Sequence, residues 1–176
     1  MVTSRSSLLS EVARIAREAG AAIVDVYARE FDVAKKADSS PLTLADMRSH
    51  EIIVKALHAL TPDVPILSEE ASDVPFEVRS KWTRYWLVDP LDGTKEFVSR
   101  NGEFTVNIAL VVEHAPVLGV VHAPVPDRTW SGICGAPGTG AWRSDGDGTP
   151  RPIAVQKPAA TPVRVAGSRS HRGESL

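Results

Sequence analysis

The residues Asp89-Pro90-Leu91-Asp92-Gly93-Thr94 combine two carboxylates, a glycine and a hydroxyl directly after the apolar run from Tyr85 to Val88. Two aspartates three residues apart at a strand end can converge on one point. Hard divalent cations such as magnesium take oxygen ligands of this kind, and a backbone carbonyl between the carboxylates is a further donor. Gly93 removes the side-chain obstacle to close approach of a ligand. A helix opening at Thr94 would turn its free N–H groups, and the positive end of its dipole, toward a phosphate oxygen. The same hexapeptide is also an acceptable turn sequence, because proline, aspartate and glycine favour turns and caps.

Upstream, Leu67-Ser68-Glu69-Glu70 ends another short apolar run with two more carboxylates. Paired glutamates are ordinarily solvated surface, but adjacent parallel strands would bring Glu69 beside Asp89. Carboxylates gathered around a phosphate would repel it unless cations intervened, so the cluster itself argues for metal. Asp46 lies in Thr43-x-x-Asp46, which matches a helix-capping pattern and is accounted for by capping alone. The functional alternative is that Asp46 orients Thr94 or a metal-bound water as a proton acceptor.

Other chemistry-bearing residues carry less. The glycine-rich stretch from Gly135 to Gly140 lacks the Lys-Ser/Thr ending of a P-loop and the spacing of a dinucleotide fingerprint, and reads as a strand connection. Ser168, Ser170 and His171 have no nucleophile elbow around them. His50, His58, His114 and His122 show no metal-ligand pairing and read as structural or exposed. The tryptophans at 82, 86, 130 and 142 read as core or cover rather than a base-stacking platform. Cys134, the only cysteine, excludes a disulfide framework within the chain and reads as a small buried hydrophobe.

The elements that must hold these residues are legible from periodicity. Leu8, Val12, Ile15, Ala16, Ala19, Ile23 and Val26 recur at helical spacing between Ser7 and Phe31, opposite Glu11, Arg14, Arg17 and Glu18. After a break at Asp38 to Pro41, a second helix is expected from Thr43 to Leu60, burying Met47, Ile53, Leu57 and Leu60. Strands are expected at Val64–Leu67 and Tyr85–Val88, with a short helix between Pro75 and Trp82 and another from Thr94 to Ser99. Further strands are expected at Thr105–Val112, Val117–Ala123, Arg128–Ile133, Gly140–Arg143, Ile153–Val155 and Val163–Ala166. Two helices followed by many strands imply layered α/β packing rather than Rossmann alternation.

Composition sets the bounds. The 176 residues fit one domain, and a formal charge of -2 supplies no broad field for nucleic acid or anionic lipid. No apolar stretch approaches transmembrane length, and the first residues show no signal-peptide pattern, so a cytoplasmic location is expected, with peripheral attachment to the inner membrane left open.

The run from Asp89 to Phe97, followed by Arg100 to Leu110, closely resembles the CysQ-type 3′(2′),5′-bisphosphate nucleotidases of the inositol monophosphatase superfamily. Lys36 to Asp46, Leu67 to Glu70, Leu118 to Pro124 and Ser168 to His171 resemble the same family, so the likeness runs over nearly the whole chain. Asp89 to Thr94 marks the superfamily, while Lys95-Glu96-Phe97 and Asn101 to Thr105 point to the nucleotidase branch.

This resemblance implies a sugar-phosphatase-like αβαβα sandwich and a magnesium-dependent phosphatase converting adenosine 3′,5′-bisphosphate to AMP and phosphate during sulfate assimilation. It implies that Glu69, Asp89, the Leu91 carbonyl and Asp92 hold two or more magnesium ions. Thr94 and Asp46, with Glu69, would prepare the attacking water, and Glu69 with Leu91, Asp92, Gly93 and Thr94 would contact substrate. Lithium inhibition follows if lithium replaces one magnesium. Family members carry a further Trp-Asp-x-Ala-Ala-like segment whose aspartate completes a second metal site. Residues 1–176 are therefore expected to be the amino-terminal part of one phosphatase domain, with the carboxyl-terminal subdomain absent and activity impaired. The alternatives are an inositol or sugar-phosphate monophosphatase, and a non-catalytic metal- and phosphate-binding fragment. A homodimer is left open, and a fold cut between its layers is expected to expose apolar strand faces that drive association.

Overall fold

The computed structural model describes residues 4–29, 41–71, 74–135 and 138–165. Helix α1, Arg5–Tyr27, is capped by Ser4, whose side chain accepts the Ser7 N–H at 3.1 Å. Its apolar stripe from Leu8 to Val26 is buried as the helical period requires. Helix α2, Pro41–Leu60, opens two residues earlier than the sequence suggests. Proline is well suited to the first helical turn, where its missing N–H has no partner to lose, so Pro41 begins the helix instead of breaking the chain before it. Ala45, Ser49, Ile53 and Leu57 form its buried face. Met47, expected in the core, lies off that stripe and is 38% exposed.

Strand β1, Ile66–Ser68, leads through a 3₁₀ turn at Glu69–Ala71 and a single-turn helix α3, Phe76–Arg79, into β2, Arg84–Asp92. A short helix α4, Thr94–Val98, precedes a meander of β3, Thr105–Val112, β4, Ala115–Ala123, β5, Arg128–Ile133, β6, Gly140–Asp145, and β7, Arg151–Ile153. All join one seven-stranded sheet in chain order. The β1–β2 pair is parallel and the others are antiparallel. Residues 163–165 do not form the strand expected over Val163–Ala166, and Ala166 lies outside the described residues.

One face of the sheet carries the core. Trp86, Val88, Val106, Ile108, Leu110, Leu118, Val120 and Ile133 are buried, with α1 packed on β3, β4 and β5 and α2 on β2. Trp86 ties two layers together: its backbone N–H bonds to the Pro65 carbonyl at 2.9 Å and its Nε1–H donates to Thr61 Oγ1 at 2.8 Å. Under β4, Gly20 lets α1 close on the sheet, since a Cβ there would stand 2.6 Å from His122 Cδ2. The opposite face is open, with Leu87, Val121 and Ile153 between 40% and 46% exposed along a shallow apolar trough. Cys134, expected to be buried, is exposed just past β5, where its Sγ–H donates to the Pro116 carbonyl. Among the described residues no helix is long and apolar enough to cross a membrane.

Candidate active site

Two aspartates three positions apart on a regular strand would point to opposite faces, because side chains alternate with a period of two. β2 avoids this with a bulge: Asp89 stands opposite Asn107 and Asp92 opposite Thr105, so three steps on β2 match two on β3. The burial pattern records the same event. Trp86, Val88 and Pro90 alternate into the core, then Leu91 is buried directly after Pro90 while Asp92 is exposed. Both carboxylates therefore emerge on one side of the strand. Asn107 Nδ2–H donates to Asp92 Oδ2 at 3.0 Å, and Thr105 Oγ1–H donates to Asn107 Oδ1 at 3.2 Å.

The parallel pairing of β1 with β2 sets Ser68 beside Val88, so Glu69, the first residue past β1, comes next to Asp89, which is still within β2. Buried Ser68 is held by His50 of α2, with Nδ1 and Oγ 2.8 Å apart. The preceding residue, Ser49, donates its Oγ–H to the Pro90 carbonyl at 2.8 Å from a fully buried position. Asp46, Ser49 and His50 occupy i, i+3 and i+4 positions, hence one face of α2. That face is pinned to both strand ends that carry the carboxylates. Because α2 starts at Pro41, Thr43 is already inside the helix and Asp46 lies in its second turn. The capping explanation for Asp46 is removed.

These elements gather like charges. Burial, then the charge of Glu70 and of Asp89 and Glu69, pushes the Asp46 carboxyl up to about 7. Burial, followed by Glu69 and Asp92, pushes Asp89 up to about 6. Oδ1 of Asp46 and Oδ1 of Asp89 are buried with no hydrogen-bond partner. Unpartnered buried carboxylate oxygens are costly, and a hard cation is the group that relieves both the missing contacts and the repulsion. Oxygen-only donors with no cysteine or paired histidine suit magnesium, which needs few protein ligands because it keeps much of its water. Among the described residues no three acidic, histidine or cysteine side chains are already closed to ligating geometry around one point. The donor set fits a cation that recruits one or two carboxylates at a time.

Gly93 links the bulge to α4 with φ of 99°, a left-handed conformation that costs a β-carbon dearly. A Cβ there would also sit 3.1 Å from the Glu103 carbonyl oxygen and from Phe104 Cα. Thr94, exposed, opens α4, whose first turn closes with the Phe97 N–H on the Gly93 carbonyl at 2.9 Å. Buried Phe97 anchors the helix in a triangle with Tyr27 and Phe104, ring centres 5.1–5.4 Å apart. Arg100 locks its far end, stacking over Tyr27 and donating to the Tyr27 carbonyl at 2.7 Å. Thr94 and Asp46 stand on α4 and α2, which pack against each other.

The structure thus brings Asp46, Glu69, Asp89 and Asp92 together, with Leu91, Gly93 and Thr94 carried on the same turn. Ser168, Ser170 and His171, and the Lys36 to Ser40 part of the upstream motif, lie outside the described residues. Ser49 has no role in the sequence reading, Thr105 and Asn107 only that of strand and motif residues, and His50, read as structural or exposed, has a structural role at Ser68. The spacing Asp46-x-x-Ser49-His50 was a usable signal for Ser49 and His50, and the alternation of Thr105 with Asn107 for those two.

A meandering sheet backed by two helices, with acidic strand ends converging on a glycine turn, defines a layered α/β protein built around a carboxylate-lined site. The chain belongs to the inositol monophosphatase family, whose model matches residues 5–175. It is 51% identical over 172 residues to the 3′(2′),5′-bisphosphate nucleotidase CysQ of Escherichia coli strain K12, an alignment covering 96% of this chain and 66% of the relative. Its fold is similar to CysQ from Bacteroides thetaiotaomicron, a bacterial member of the inositol monophosphatase family, at TM-score 0.71 and 44% identity, over 80% of this chain and 49% of that one. It is also similar to an inositol monophosphatase from Anabaena (Nostoc), at TM-score 0.65 and 26% identity, over 80% and 48%. The chain therefore spans just under two thirds of the length of the curated relatives it matches.

Proposed function

We propose that this chain supplies the cation and phosphate site of a magnesium-dependent phosphatase that converts adenosine 3′,5′-bisphosphate to AMP and phosphate. The observation that carries the reading is the pair of unpartnered buried oxygens on Asp46 and Asp89 amid a cluster of carboxylates. The choice of a nucleotide is supported by the higher identity to the nucleotidases than to the inositol monophosphatase. Residues 1–176 are taken as the amino-terminal part of one such domain, located in the cytoplasm.

In this reading Glu69, Asp89, Asp92 and the Leu91 carbonyl hold two or more magnesium ions. When bound, magnesium supplies positive charge that makes a water more acidic and neutralises the leaving oxygen. Thr94 accepts the proton of the attacking water as its own hydroxyl proton passes to the Asp46 carboxylate, with Glu69 orienting the water. The Gly93 turn brings backbone close to the phosphate, and Leu91 to Thr94 form its cradle. Asp46 is suited to the role because burial already disfavours its charge.

Phosphate release from adenosine 3′,5′-bisphosphate and from inositol 1-phosphate, each with and without magnesium, tests the assignment. The account expects magnesium-dependent release with the nucleotide preferred. A preference for inositol phosphate would move the chain to the other branch of the family, and release indifferent to magnesium would end the cation reading.

A further inference from the structure

We propose that Asn107 is a positioning residue for the cation site, holding the Asp92 carboxylate in one orientation, and that Thr105 sets Asn107 in turn. The inference rests on the reading of Asp92 as a cation ligand. Asn107 stands directly opposite Asp89 in the β2–β3 register, yet its amide reaches along the strand to Asp92 Oδ2 at 3.0 Å. Asp89 Oδ1 is left without a partner. The amide thus distinguishes the two carboxylates: it engages Asp92 and leaves Asp89, one oxygen of which has no hydrogen-bond partner, to other groups.

The orientation of the amide is determined by chemistry. An ionised carboxylate only accepts, so Nδ2 must face Asp92 and Oδ1 must face the other way. There Oδ1 accepts the Thr105 hydroxyl at 3.2 Å. Thr105 and Asn107 share a face of β3 by strand alternation, and Thr105 is itself paired with Asp92 across the bulge. The relay Thr105 to Asn107 to Asp92 closes over the irregular part of the sheet, where an exposed aspartate would otherwise sample several rotamers. With Oδ2 engaged, Asp92 offers its other oxygen to a cation at reduced entropic cost. Outer hydrogen-bond partners of metal ligands commonly change metal affinity by about 10- to 100-fold.

The test is Mn²⁺ titration of the chain, read by electron paramagnetic resonance, alongside the melting midpoint of the metal-free chain. Variants are Asn107→Ala, Thr105→Val and Asp92→Asn. The proposal expects Asn107→Ala to weaken Mn²⁺ binding about tenfold or more, Thr105→Val to weaken it less, and neither to move the melting midpoint appreciably. Should Asn107→Ala fail to fold, Thr105→Val decides: weakened binding at unchanged stability supports the relay, and unchanged binding overturns it. Lower stability with unchanged affinity would reduce Asn107 to a structural role. If Asp92→Asn weakens binding and Asn107→Ala does not, the relay is overturned while the cation reading stands. If neither does, Asp92 is not a ligand and the relay falls with that assignment, whereas the cation reading itself falls only if the unaltered chain binds no Mn²⁺.

Discussion

Asp46 of α2 and Asp89 of β2 each hold one buried carboxylate oxygen that has no hydrogen-bond partner. Burial and neighbouring carboxylates raise both groups, to about 7 and about 6, from an ordinary value of 3.8. Between pH 4 and 7 the folded chain then binds more protons than the unfolded one, so stability falls as pH rises through that window. The melting midpoint of the metal-free chain should drop from pH 4.5 to pH 7.5. Added magnesium should restore it at pH 7.5 and do little at pH 4.5, where the carboxyls are largely neutral. A midpoint that rises or stays flat across the window would contradict this description of the cluster.

Gly93→Ala should damage the site and the fold together. The residue must take φ near 99°, and the new methyl meets backbone at 3.1 Å. Left-handed backbone costs an L-residue roughly 1–2 kcal/mol before any contact is counted. A loss of about 2 kcal/mol in chemical denaturation is expected, with weaker magnesium binding because Asp92 and Thr94 flank the turn. An alanine variant of unchanged stability would show that the turn can relax.

Phe97→Ala tests whether α4 is held from below. The ring fills the triangle with Tyr27 and Phe104 and is 1% exposed. Removing it should cost about 3–5 kcal/mol, whereas Val98→Ala, on the solvent side at 55% exposure, should cost far less. Equal effects in urea unfolding would contradict the assignment of the inner face.

The open face of the sheet, with Leu87, Val121 and Ile153 between 40% and 46% exposed, should drive self-association. Sedimentation velocity is expected to show concentration-dependent assembly that Val121→Glu reverses. A monodisperse monomer at all concentrations would contradict the expectation that the open strand face drives association.

Much of this architecture is written locally. The stripe of α1, the bounds of β3 and β5, and the helix opening at Thr94 follow from periodicity and from turn residues. Asp89 and Glu69 were legible as carboxylates following apolar runs, but β2 runs past Asp89 to Asp92 instead of stopping at Val88 as expected. What could not be read is what depends on pairing. The bulge that puts Asp89 and Asp92 on one side exists only because β3 lies against β2. The hydrogen bonds from Ser49 to Pro90 and between His50 and Ser68 join segments distant in sequence. Met47 and Cys134 misled for a similar reason: both are apolar types, but their exposure is set by which face meets the sheet and where β5 ends. Asp46 looked like a cap until Pro41 proved to be the first residue of the helix.

The central claim is that the carboxylate cluster exists to hold a cation. Calorimetric titration of magnesium into the metal-free chain at pH 7.5, with Asp89→Asn alongside, tests it most directly. The account predicts saturable binding by the chain, and binding strongly weakened or lost in the variant, whose metal-free form is no less stable because a buried like charge has gone. Binding of equal strength in both, or none in either, would contradict it.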